Sequence, residues 1–394
     1  MKNKNSNVSF RSISVNAIDC KNKNIFKCQK SSEWHLKYAN ESSIFLRLIC
    51  WMGFLVDSDK TLRRRIIFRC FLSTLVLAVV DNIVLSFFQN RRGYYMRLAL
   101  IYISTYMTAI AIWYLMRRKR EDLSAFLRFL HEIHPYTERR ETSYLLYSIC
   151  CLPIILSILS VISENLESKS SLYMYMRPIN YIHLQIMLVF IKSNFYFVLY
   201  PTFPAVVVIL HCVLCQRVCR LIRLLRTEVE SCPLEEFTIS KQSNILRQKN
   251  VIDDVMVLMQ KVLYLPSFLL CTLNFSSCCT AVAWFVLGYQ KEDDITLFTT
   301  FSLFFAIAAA NLLAYFWFAG GLPIEMDAFR EEFCKKVYHR LLTLGKTGEI
   351  VFQKALYETP SFVLSGCDIL YFKRSSILGL AGAILTYTLL LVTS

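Results

Sequence analysis

Charge is the first thing this sequence is short of. Only 19% of its 394 residues are Asp, Glu, Lys or Arg, against about a quarter in soluble globular domains. Motifs that carry catalysis are missing too. No nucleophile elbow, HExxH or glycine-rich nucleotide loop surrounds its Ser, His and Asp residues, so no residue stands out as catalytic and no enzyme is expected. The GKTGE at Gly345–Glu349 has no Gly-x4 spacing before GK and follows no strand. Although there are 15 cysteines, no CxxC recurs at zinc-ligand spacing, and most, such as Cys70, Cys150, Cys212 and Cys278, lie in or beside apolar runs. They read as small buried thiols, with no metal and no cofactor implied. The polar, Lys/Asn-rich first forty residues contain no signal-peptide core, so the N-terminus is expected to stay in the cytosol. Nor are there internal repeats with paired broken spans, as a secondary transporter would show.

Apolar residues, by contrast, make up 55% of the chain and aromatics 14%. Long uncharged runs punctuated by basic clusters imply an all-α, polytopic, seven-transmembrane helical bundle, multi-pass in the plasma membrane. Residues 1–65 form an N-terminal region with a short amphipathic helix at Ile44–Val56, 66–320 a six-span bundle with cytoplasmic helix extensions, 321–374 a cytoplasmic helical linker, and 375–394 a seventh span. The six earlier spans are expected at Ile66–Phe88, Leu98–Met116, Ser143–Ile162, Phe195–Cys215, Val262–Gly288 and Leu297–Gly320. Helical continuations follow several of them: Glu121–Glu141, the stripe Arg217, Arg220, Arg223, Arg226, and Ile324–Leu344 after a turn at Gly320, Gly321 and Pro323. A further short piece is expected at Glu349–Tyr357.

The formal charge of +15 could suggest a nucleic-acid partner, but its distribution points to membrane lipids. Of 44 Lys and Arg residues, 36 fall in stretches 1–65, 117–142, 215–261 and 321–374, and only 7 in the other connections. The positive-inside rule then places the N-terminus in the cytosol and, with an odd span count, the C-terminus outside. A G-protein-coupled receptor has the opposite orientation; here Cys215–Arg217 reads CQR, and the last span has no NPxxY.

Several polar residues sit where apolar ones are expected. Asp81 is a carboxylate within the first span, beside Asn82, and a charge there normally faces protein or a cavity. Asn274 and Asn311 are candidate partners for it or ligand contacts. Tyr173, Tyr175, His183 and Gln185, with Lys192, mix aromatic and polar groups near the outer mouth. That mixture suits a small, weakly polar or sugar-like ligand, and equally an interfacial aromatic belt. The last span, Ser375–Ser394, is uncharged, carries the small residues Gly379, Ala381, Gly382 and Ala383, and places Thr386, Leu390 and Thr393 along one side.

Thr386 and Tyr387 followed by TLLLV, with Gly366, Cys367, Asp368 and Leu370–Ser375 ahead of them, resemble the terminal signature of the arthropod gustatory and odorant receptor superfamily: TY, five apolar positions, then QF. The resemblance spans the chain in layout and residues 361–392 in motif. It implies a taste-type, ligand-gated, non-selective cation channel, tetrameric as a homomer or heteromer. Each last helix would contribute Thr386, Tyr387, Leu390 and Thr393 to one central pore, and a small tastant and monovalent or divalent cations would be the partners. Where the family has Gln and Phe this chain has Thr393 and Ser394, which leaves a non-conducting membrane protein as the alternative.

Overall fold

The structure, a computed structural model, describes residues 44–56, 62–90, 96–133, 140–162, 170, 173–175, 177, 179–288, 295–344 and 362–393. The expected N-terminal segment before residue 44, the loop arginines Arg91 and Arg92, the acidic Glu292–Asp294, the GKTGE, the piece at Glu349–Tyr357 and Ser394 lie outside them. Eleven helices are described: α1 (Ile44–Trp51), α2 (Leu62–Asn90), α3 (Met96–Arg118), α4 (Arg120–Ile133), α5 (Arg140–Ile162), α6 (Ile182–Phe197), α7 (Phe203–Ser231), α8 (Ile239–Gly288), α9 (Ile295–Ala319), α10 (Gly321–Leu344) and α11 (Ser376–Thr393). A five-residue π segment, Val198–Thr202, joins α6 to α7, and a two-stranded hairpin, β1 (Ser365–Gly366) and β2 (Leu370–Tyr371), precedes α11.

Among the described residues five helical stretches are long and apolar enough to cross a membrane: Arg65–Leu85, Glu141–Ile162, Ile182–Ser231, Ile239–Ala283 and Phe298–Thr343. The last helix holds a shorter apolar stretch, Ser376–Leu390. The first, third, fourth, fifth and sixth expected spans lie largely in these five stretches, while the second lies on α3 and the seventh on α11, which are not among them. The architecture is thus an all-α polytopic bundle.

One expectation about the connections needs correcting. The turn foreseen after Gly320 is a single-residue interruption, because the Gly320 amide still bonds to the Phe316 carbonyl at 2.9 Å and α10 resumes at Gly321. Pro323 does not break the helix, because it falls in the first turn of α10, where its missing amide hydrogen costs no hydrogen bond. The stretch between the linker's expected pieces and the last span, for which no element was expected, holds the hairpin.

α7 is the axis of the bundle. Every residue from Phe203 to Cys215 is buried, and α5, α8, α9 and α10 all touch it. α8 is a single helix of 50 residues, about 75 Å long, so the fifth expected span continues without a break from the residues before it. Its polar residues are satisfied locally: Thr272, Ser277 and Thr280 hydroxyls donate to carbonyls one turn back at 2.8–3.0 Å, which keeps them affordable in an apolar span. At the basic end of α7 the stripe is used internally. Arg223 and Arg226 reach Glu325 of α10 at 2.6 and 3.5 Å, and Lys336 donates to the Glu230 carbonyl at 3.1 Å where α7 ends.

Candidate functional site

The carboxylate that was conspicuous in sequence is the centre of a polar cluster. Asp81 accepts from Tyr175 Oη at 2.5 Å, from Lys192 Nζ at 2.9 Å, and from Tyr196 Oη. The Asp81 and Lys192 side chains are 19% and 18% exposed, so the pair is largely withdrawn from solvent. Lys192 also donates to the Tyr173 carbonyl at 2.7 Å and lies 4.5 Å from the Tyr175 ring centre. Tyr173 and Ser193 hydroxyls are 3.2 Å apart, and the Tyr173 and Tyr106 rings lie 5.9 and 5.8 Å from that of Tyr196. Tyr175, in the connection before α6, has its phenol pushed up to about 12 because it donates to the Asp81 carboxylate. The cluster therefore ties α2 to α6 and to the connection that precedes it.

Of the residues singled out in sequence, Asp81, Tyr173, Tyr175 and Lys192 converge. Asn82 lies beside them with its side-chain oxygen buried and without a donor among the described residues. Gln185 is buried on α6 but donates to the Ile179 carbonyl at 2.6 Å, bracing the start of that helix. His183 is exposed on that helix. Asn274 and Asn311, offered as partners for Asp81, pair instead with each other at 3.1 Å, because α8 and α9, which carry them, pack against one another. Sequence reasoning passed over Tyr196 and Ser193. A signal was available: Gln185, Val189, Lys192, Ser193 and Tyr196 recur at helical spacing on one face of α6, which puts polar groups where an apolar stripe would be expected. Away from the cluster, Phe71, Thr74 and Leu75 of α2 line a shallow, open apolar crevice with Phe195 of α6, Leu199 of the π segment and Phe203 of α7.

A second assembly holds the last helix. Three residues, Cys367, Asp368 and Ile369, link the paired strands, and Cys367 and Asp368 stand at φ +56° and +53°, the left-handed geometry required at the two central positions of a primed turn, which the Ile369 amide closes on the Gly366 carbonyl at 3.2 Å. Ser365 is gripped by Gln260 of α8, whose amide donates to its carbonyl at 2.8 Å and accepts from its N–H at 3.1 Å. Gly366 lies so close to α8 that a Cβ there would stand 3.2 Å from Phe268 Cα. Phe372, fully buried, then enters an aromatic stack: His211 lies 3.8 Å from Tyr315, Tyr315 4.8 Å from Phe372, and Phe316 5.4 Å from Phe372. Tyr315 is hydrogen-bonded to Ser267 of α8. Arg374 follows, its guanidinium 4.2 Å from the Trp317 ring centre, and its backbone fills the place a Gly320 Cβ would take. The start of α11 is thereby fixed to α7, α8 and α9.

α11 itself rests on α8 and, less extensively, on α9. Thr388 alone among its described side chains is buried; Tyr387 meets Phe275 edge-on at 5.8 Å, and Thr386 donates to the Gly382 carbonyl at 2.9 Å. Leu390 is 58% exposed, and a Cβ at Gly379 or Gly382 would meet nothing within 4 Å. Thr393 closes the helix, with its side chain outside the description. Among the described residues no group of three or more His, Cys, Asp or Glu could hold a metal ion.

No protein-family model and no curated protein matches the chain. Solved structures do. The chain aligns with the insect olfactory receptor OR5 from Machilis hrabei at TM-score 0.67 and 13% identity, covering 88% of this chain and 97% of that one. It aligns with the same receptor in complex with eugenol at TM-score 0.64 and 14% identity, covering 91% and 97%. At such identities the likeness is one of fold, and it extends across nearly all of both chains. The protein is a multi-pass membrane protein with the helical-bundle fold of an insect olfactory receptor.

Proposed function

We propose that the chain is a chemosensory receptor subunit of the taste type, acting in the plasma membrane as a ligand-gated, non-selective cation channel. Four copies, of this chain alone or with a related one, would surround a pore lined by α11, with seven spans, a cytosolic N-terminus and an extracellular C-terminus. The observation that carries this reading is the lopsided burial of α11. A transmembrane helix clamped at its start and covered on one flank leaves its small-residue and hydroxyl-bearing flank for other copies and for ions. Thr386 and Leu390, and with them Thr393 by register, would lie toward the axis, with Leu390 as a constriction that closes by dewetting.

The ligand class follows from the Asp81 cluster. Its phenols, its largely buried carboxylate and the unpaired Asn82 oxygen favour a small, weakly polar molecule carrying a hydroxyl. OR5 was solved with eugenol, a compound of that kind.

Whole-cell recording of cells expressing the chain, with cysteine placed at 386, 390 and 393 and a charged thiol reagent applied from outside, tests the proposal. Block at 393 and state-dependent block at 390 are expected. Ligand-evoked current with no block at any of the three would move the pore to another helix. Surface protein that passes no current, alone or with a partner chain, would favour the non-conducting alternative. Epitope tags at both ends check the topology: an N-terminal tag reached on intact cells would sink it.

A further inference from the structure

Where α2 begins and α3 ends, one guanidinium group lies over an aromatic pair, and two further arginines are its near neighbours along the chain. The Phe68 and Trp113 rings stack 6.3 Å apart at 15°, and the Arg117 guanidinium lies 4.2 Å from the Phe68 ring centre and 5.4 Å from that of Trp113. Arg69 and Arg118, the chain neighbours of Phe68 and Arg117, are both exposed. None of the three makes an ion pair with a described residue, and the acidic group closest in sequence to Arg118 in a described ion pair, Asp122, is engaged by Lys119 at 3.9 Å and Lys261 at 3.0 Å. The platform under them is fixed. The Trp113 indole donates to the Met52 carbonyl at 3.1 Å, and Gly53, at φ +80°, brings the turn after α1 onto Phe68, whose ring would stand 2.5 Å from any Cβ there. Trp51, Ile66 and Tyr114, all exposed, flank the site with apolar surface.

We infer that this platform binds the phosphorylated headgroup of an anionic phospholipid, of the phosphoinositide kind, from the membrane leaflet at that level. A guanidinium stacked on aromatic faces keeps its N–H edge in plane and available, so it can grip a phosphate with two parallel hydrogen bonds. Arg69, Arg117 and Arg118 meet no counter-charge among the described residues, and a multiply charged headgroup would supply it. The depth is right as well. Arg69 lies near the start of the membrane-crossing stretch Arg65–Leu85, where headgroups sit, and Ile66 and Tyr114 would meet the upper acyl chain. Arg223 and Arg226 make the contrast, since Glu325 already occupies them.

The test uses the full-length protein in phosphatidylcholine nanodiscs, titrated with fluorescent phosphatidylinositol bisphosphate. Binding is expected to be tighter than to phosphatidylserine, and roughly tenfold or more tighter than to soluble inositol trisphosphate, because the acyl chain contributes. Arg69→Gln and Arg118→Gln should each weaken it roughly fivefold. Arg117→Lys, which keeps the charge and loses the planar fork, should weaken it too, whereas Arg177→Gln, in the connection before α6, should leave it unchanged. Equal affinity for the soluble headgroup would overturn the lipid assignment. Equal loss in Arg177→Gln, or no loss in Arg69→Gln and Arg118→Gln, would overturn the site. Those two exposed positions keep the test decisive should Arg117→Lys fail to fold, which the thermal melt of each purified variant reports.

Discussion

α7 and α11 are alike as membrane sequences and opposite in their surroundings. Both are uncharged over their apolar length, FPAVVVILHCVLC in one and SILGLAGAILTYTLLLVT in the other. Yet every residue from Phe203 to Cys215 is buried, while α11 buries one described side chain. The contrast teaches what hydropathy measures. It reports the cost of contact with water, and lipid, protein interior and the face of another copy all answer it equally well. What tells the two helices apart is bulk and anchorage: α7 fills a site surrounded by four helices, and α11 hangs from a hairpin with glycines facing open space.

The comparison can be broken most forcefully by making the same truncation in both helices. Leu214→Ala, at a fully buried position of α7, should cost roughly 2–5 kcal/mol. Leu385→Ala, exposed on α11, should leave the detergent-solubilised single chain within about 0.5 kcal/mol. Thermal melts of the two purified variants decide it, and equal losses would mean that α11 is as deeply packed as α7.

Asp81→Leu comes next. It strands Lys192 and two phenols around an apolar side chain, and about 2 kcal/mol is the expected loss, below the figure for a fully buried pair because both partners keep some exposure. Asp81→Asn retains hydrogen bonding and should lose less. Surface biotinylation and ligand response read both. If neither variant changes either measurement, the cluster is not what holds α2 to α6.

Gly320→Ala sharpens the anchorage side of the contrast. The added methyl would meet the Arg374 backbone nitrogen at 2.7 Å and the Phe316 carbonyl oxygen at 2.8 Å, and neither can swing away. A loss of about 1–3 kcal/mol is expected, together with altered gating if the start of α11 transmits the ligand signal. Unchanged melting and unchanged dose–response would show that the start of α11 tolerates displacement.

The smallest effect is expected at Gly382→Ala. With nothing within 4 Å of the new Cβ, the melt of the solubilised single chain should not move by more than about 0.5 kcal/mol. Any change should appear only in assembled channels, as conductance or as oligomer lifetime on native gels. A destabilised single chain would place protein where open space is described.

Much of the fold could be read from residue order. Apolar runs of about twenty residues have to become helices in a membrane, since no other local structure satisfies the backbone there, and Asp81 advertised itself because a carboxylate in such a run needs company. Lys192 and the tyrosines at 173 and 175 were noticed as a polar outer group, but nothing in the sequence joined them to Asp81. The hairpin before α11 was less visible still, since two-residue strands leave no periodicity to detect.

By itself the sequence determined the helices, their approximate ends and the asymmetry of positive charge, all properties of residues close together along the chain. Tertiary structure alone decided that Asp81 is answered by residues 94, 111 and 115 positions away, that Asn274 turns to Asn311, and that Phe372 threads the His211–Tyr315 stack. The physical reason is that partner choice in an apolar medium follows which helix faces meet, and the hydrophobic pattern that makes each helix does not encode its neighbours.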